Sequence, residues 1–170
     1  AINDTFSSSV QTDRVRGNDM AVFVRDSGGT RRTFAQFDST TLPNGTTGAD
    51  IDRATLRLFI DDVLSAGNID IHRVTSSWEE SSLTFNNSPT FDVTPFASNV
   101  AIATGDEHKF ITIDITAEVK NWIDNPTTNF GIALLAQAGT HIKLDSKENR
   151  GTSHPIELEV ALIGPEGPQG

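Results

Sequence analysis

The chain has 170 residues, 36% apolar and 21% charged, with a formal net charge of −10 and no cysteine. That length can bury one sizeable core, and the missing thiols exclude disulfides, thiolate zinc or iron–sulfur sites, and cysteine nucleophiles. The acidic balance argues against nucleic-acid partners but leaves room for polyanionic sugars at a local basic patch, and no apolar run reaches the ~18 residues that read as a membrane span, so no membrane insertion is expected.

The elements follow one another as short runs between turn residues. Strands are expected at 20–25 and 31–37, joined by a hairpin at Ser27-Gly28-Gly29. Pro43-Asn44-Gly45 is a turn with a mechanism, because Pro presets φ and Asn-Gly tolerates positive φ. Ala54, Leu56, Leu58 and Ile60 then alternate with Thr55, Arg57, Phe59 and Asp61, the pattern of a half-buried strand. Weaker strand patterns occupy 69–74, 83–85 and 141–145. Ile111, Ile113 and Ile115 alternate with Thr112 and Asp114.

One helix stands out. Thr116 is placed to cap it, Glu118 suits its first turn, Val119, Trp122 and Ile123 share a face, and Pro126 stops it. Phe130–Ala136 is apolar on both faces except at Gly131, which predicts a central strand covered on both sides. Ile156, Leu158, Val160 and Leu162 alternate with Glu157 and Glu159 in a last strand. These readings give an all-β sandwich or barrel with one short helix, a single domain over residues 1–163.

Residues 164–170 differ in kind. Gly164-Pro165-Glu166-Gly167-Pro168-Gln169-Gly170 places Gly at every third position and Pro after it, the pattern of collagen; the alternative is a Pro/Gly linker that happens to have period three. Only Gly fits the axis of three wound chains, so a collagen-like stalk beginning here implies a homotrimer.

Catalytic patterns are missing. There is no Gly-x-Ser-x-Gly elbow, and His72, His108, His141 and His154 lie singly rather than at metal-ligand spacing. No enzyme is expected, and no cofactor is required. Asp4, Asp13, Asp19, Asp38, Asp61, Asp62, Asp92 and Asp106 offer hard oxygen ligands without the spacing of an EF-hand, so a structural calcium would have to be knitted between loops.

Two segments carry candidate binding residues. Trp78 beside Glu79 is a combination used at sugar sites; the alternative is that Trp78 packs at a sheet end while Glu79 and Glu80 solvate a loop. Asp145–Arg150 is a dense polar run that reads as an ion-pair network, a solvated turn or a binding loop. Together they nominate Trp78, Glu79, Lys147, Glu148, Asn149 and Arg150 for carbohydrate binding. With no tyrosine and 7% aromatics, recognition by charge fits better than a deep aromatic groove.

Taken in order, these segments resemble the DNRLRE domain family, which overlaps a carbohydrate-binding module family. The early part is Asp4-Thr5-Phe6, Arg32, Phe37-Asp38, Leu42-Pro43 and Arg53-Ala54-Thr55-Leu56-Arg57-Leu58. The middle part is Arg73-Val74, Trp78-Glu79-Glu80-Ser81, Leu83-Thr84-Phe85-Asn86-Asn87 and Pro89. The last part is Ile113-Asp114-Ile115-Thr116, Val119, Trp122, Asn129-Phe130-Gly131-Ile132, Ser146-Lys147-Glu148-Asn149 and Pro155–Val160. Where the family has Arg and Trp, this chain has Lys147 and Phe85, and Lys lacks the planar two-pronged contact of Arg.

The resemblance implies a jelly-roll β-sandwich of antiparallel strands, found in secreted and surface proteins and in some cases binding polysaccharide. The expected function is a non-catalytic extracellular head for adhesion or carbohydrate binding on a collagen-like stalk, displayed on a cell surface or a phage fibre. The alternative is a purely structural trimeric cap or spacer of such a fibre.

Overall fold

Strict alternation along residues 54–60 puts Ala54, Leu56, Leu58 and Ile60 on one face, and all four are fully buried in the computed structural model, which describes residues 1–164. They belong to β4 (Ile51–Ser65), the longest of the ten strands among the described residues. The others are β1 (Asn3–Ser8), β2 (Ala21–Arg25), β3 (Arg31–Gln36), β5 (Gly67–Arg73), β6 (Ala97–Ile102), β7 (Lys109–Asp114), β8 (Ile132–Ala136), β9 (His141–Asp145) and β10 (Glu157–Leu162). One α-helix, α1 (Thr116–Asp124), follows β7. All strand pairs are antiparallel, so the all-β sandwich expected is the architecture observed.

β4 organises one layer. β10 lies opposite Ile51–Arg57 and β9 opposite Ile60–Ser65 along one edge, while β7 lines the other from Thr55 to Ile60. β2 extends this layer from β9. In the second layer β3 pairs with β1 along its length and with β8 on its other side, and β5 and β6 follow. The layers meet at one pair, Arg25 opposite Arg31, at the ends of the β2–β3 hairpin. Gly28 and Gly29 in that hairpin have positive φ, the conformation its tight turn requires.

The main core lies between the layers, with Val22, Val24, Leu56, Leu58, Ile69 and Leu134 among its members. A second cluster of Phe34, Val74, Trp78, Leu83 and Ala133 sits on the outer side of β3 and β8, under the segment 74–96. Ile132, Ala133 and Leu134 are therefore all fully buried, as the two-faced apolar run predicts.

Three local expectations need correction. Residues 83–85 form no strand. The Leu83 N–H bonds the Glu79 carbonyl, the Thr84 N–H bonds Asn87 Oδ1 and the Phe85 N–H bonds the Thr12 carbonyl, so a local carbonyl, a side chain and a distant loop carbonyl replace a ladder. Thr116 is the first helical residue rather than the cap. Asp114 Oδ1 accepts its N–H at 2.9 Å, and its hydroxyl oxygen accepts the Ala54 N–H at 2.9 Å, tying the helix start to β4. Finally, the polar segment Asn3–Ser8 is strand β1, because β3 offers it a complete ladder.

Candidate functional site

The polar run after β9 is anchored inward. Asp145, 1% exposed, accepts hydrogen bonds from Asn149 Nδ2 at 3.0 Å and from the Thr152 hydroxyl. The Lys147 N–H donates to Asp4 Oδ2 at 3.0 Å, and the Lys147 ammonium reaches Glu80 Oε2 at 2.9 Å and Glu148 Oε1. Glu80 Oε1 in turn accepts the Asp4 N–H at 2.8 Å. Gly17 leaves room for this arrangement, since a Cβ there would lie 2.6 Å from Glu80 Cγ.

Asp4, Glu80 and Glu148 thus bring carboxylate oxygens within 4.8 Å of one another around one ammonium. Burial is the main reason the Asp4 carboxyl is pushed up to about 6; the N–H of Lys147 opposes the shift, and Glu148 and Glu80 add to it. Burial works to lower the Lys147 pKa, but its hydrogen bonds to Glu148 and Glu80 outweigh it and hold the ammonium above its ordinary value. The aspartates nominated from sequence as hard ligands contribute only Asp4 to this cluster.

The nominated residues divide. Lys147, Glu148, Asn149 and Arg150 lie on one loop, with the first three partly buried in the network and Arg150 exposed. Trp78 is 9% exposed: its Nε1–H donates to the Phe130 carbonyl at 2.9 Å and its ring packs 6.0 Å from that of Phe34. Glu79 is exposed, and with Asn3, Trp78, Glu80 and Ser81 it lines a shallow depression beside the Glu80–Lys147 pair.

A second group borders this loop. The Ser146 hydroxyl donates to the Asp19 carbonyl at 2.6 Å, and the Asp19 carboxylate accepts Arg16 at 3.1 Å. The Arg16 guanidinium lies 4.6 Å from the centre of the Phe6 ring, and that of Arg31 lies 4.7 Å from the Phe23 ring. Phe6 and Phe23 meet edge to face at 5.3 Å. Arg25 faces both Arg31 and His141 across the strands. Burial, then the charges of Arg25 and Arg16, lower the Arg31 pKa; burial, then Arg25 and Arg31, lower that of His141.

Asp19 bonds Arg16, and Asp62 lies close enough to act on His141. Arg31 has no ion pair among the described residues, and neither have Arg25, Arg32, Arg53 and Arg150. Arg32 too lies over aromatic rings, those of Phe85 and Phe91, but of these two stacked arginines only Arg31 sits in a cluster of other cations. A guanidinium stacked on an aromatic face without a carboxylate partner is suited to a carboxylate or sulfate. Sequence reading did not nominate Arg16, Arg25, Arg31 or His141. One signal was present: Arg25 and Arg31 are symmetric about the Ser27-Gly28-Gly29 turn, so the hairpin itself pairs them.

The family model described as carbohydrate-binding module family 96 matches residues 1–160, nearly all of the described chain. The chain belongs to carbohydrate-binding module family 96. No curated protein matches it. In this family 96 module the matched span contains both the Lys147 loop and the arginine group, and it ends within β10.

Proposed function

We propose that this module is a non-catalytic, extracellular head that binds acidic polysaccharide and is carried on a collagen-like stalk. Family membership supports carbohydrate binding. The observation that carries the acidic class is Arg31, a cation stacked on Phe23 beside Arg16 and Arg25, with no carboxylate partner among the described residues, in a chain of net charge −10. Arg16, Arg25 and His141 surround it, and Arg150 stands exposed on the neighbouring loop. The stalk reading rests on the Gly-Pro triplets of 164–170; residues 165–170 lie outside the described residues. Three heads on one stalk would multiply a weak site by avidity.

The test is titration of the full chain with neutral, uronate-rich and sulfated polysaccharides. Saturable binding to the acidic types, weakened by Arg31→Ala and by salt, is expected. Binding to neutral polymers alone sinks the arginine reading. Silence across the panel with a folded protein favours the structural-cap alternative.

A further inference from the structure

The side of the sandwich where the two layers part holds a cleft of about 360 Å³. Its walls come from both layers and from the helix: Leu158 and Val160 of β10, Phe37 and Leu42 after β3, and Ile123 of α1. Asp38 is its one ionisable side chain; Ser39, Thr41 and Asn129 add polar groups to a lining that is otherwise mostly apolar.

Ile2, which lines the cleft, is 53% exposed, and at the exit of β10 Leu162 is 38% and Ile163 59% exposed. The strands on either side, β1 and β10, are edge strands, each paired with one neighbour only. An apolar cleft between open strand edges is a surface that proteins usually cover.

The chain itself indicates what covers it. β10 supplies one wall, ends at Leu162, and is followed by the Gly-X-Y triplets that begin at Gly164. A triple helix starting there would hold three copies of β10 close together, raising each domain's effective concentration at the others. We infer that this cleft is the contact between copies of this chain: each domain inserts the exposed Leu162 and Ile163 at β10's exit into the cleft of the next, in a head-to-tail ring of three. The inference rests on the stalk reading for its occupant, and it goes beyond that reading by assigning the domain a part in assembly.

Sedimentation velocity over a concentration series of the full 170-residue chain tests it, with Leu42→Glu and Ile123→Glu altering the cleft and Gly167→Ala altering the repeat. Near-UV circular dichroism and melting confirm that each variant is folded; the Leu42 position, on a half-buried loop, keeps the test usable if the helix variant unfolds. A wild-type trimer whose association weakens by at least about tenfold in the cleft variants is expected. Cleft variants that associate like the wild type, or a wild type that stays monomeric, overturn the inference. Loss of trimer with Gly167→Ala alone overturns the cleft contact and keeps the stalk reading. Loss with Leu42→Glu alone supports the contact, since the two triplets of 164–170 are too few to hold three chains by themselves.

Discussion

The indole N–H of Trp78 donates to the Phe130 carbonyl at 2.9 Å, joining the 74–96 segment to the entry of β8. Ring and hydrogen bond are both committed to the second core cluster with Phe34, Val74, Leu83 and Ala133. Trp78 therefore acts on stability first. Trp78→Ala is expected to cost about 3–5 kcal/mol. Trp78→Phe, which keeps an apolar ring but leaves the Phe130 carbonyl unpaired, is expected to cost about 1–3 kcal/mol. Urea denaturation checks both. Polysaccharide affinity of folded Trp78→Phe should stay at the wild-type level; a large loss would return Trp78 to the binding surface.

Asp4 gives the fold an uncommon pH dependence. Its folded pKa, about 6, lies above the ordinary 3.8, so the folded protein binds the proton more tightly than the unfolded chain. The stability this group contributes is fully present below the ordinary value of 3.8 and is lost as pH rises through about 6. A rise of that size corresponds to about 3 kcal/mol. Asp4→Asn should flatten the stability profile across this window and raise stability at neutral pH. Its amide can still accept the Lys147 N–H while donating to Glu80 or Glu148. Chemical denaturation from acid to neutral pH is the measurement, and a variant no more stable than wild type at neutral pH refutes the account.

Arg73 and Glu118 form a two-pronged pair, with both N···O distances at 2.7 Å, that fastens α1 to β5. Glu118 is 4% exposed, so removing its partner strands a charge under the helix. Arg73→Met should destabilise by about 3–5 kcal/mol, whereas the double variant Arg73→Met/Glu118→Leu should recover most of that loss. A double-mutant cycle by thermal melting reads the difference; equal costs for the single and double variants would show that the pair is not the cause.

Arg31 should separate affinity from stability. Arg31→Lys keeps the charge but loses the planar fork and much of the stacking on Phe23. Its affinity for a uronate polymer should fall between those of wild type and Arg31→Ala, and all three should weaken as salt is raised. Calorimetric titration at two ionic strengths checks this. Equal affinity for all three proteins would move the binding surface away from Arg31.

Much of the framework was legible in the chain because strand pleat and helix turn leave a periodic record. The alternation at 54–60, the two-faced run at 130–136 and the helix between Ile115 and Pro126 all mark burial that the local sequence must satisfy by itself. Strand β1 left no such record, since Asn3–Ser8 is polar and becomes a strand through its pairing with β3. Residues 83–85 carried strand-like composition, yet their N–H groups found Glu79, Asn87 and Thr12 instead of a neighbouring strand.

The candidate site divides the same way. The Lys147–Arg150 loop was visible as a polar run, but its role depends on Asp4 and Glu80, which are 143 and 67 residues from Lys147 in sequence. Arg16 and Arg31 likewise gather around Phe6 and Phe23 only when β1, β2 and β3 come together. Local patterning and composition determined the fold class, the turn positions and the exclusions that follow from lacking cysteine. Tertiary structure decided which charges are paired, that Trp78 is committed to the core and that Arg31 gathers with Arg16 and Arg25, because those depend on distance in space, which no spacing along the chain specifies.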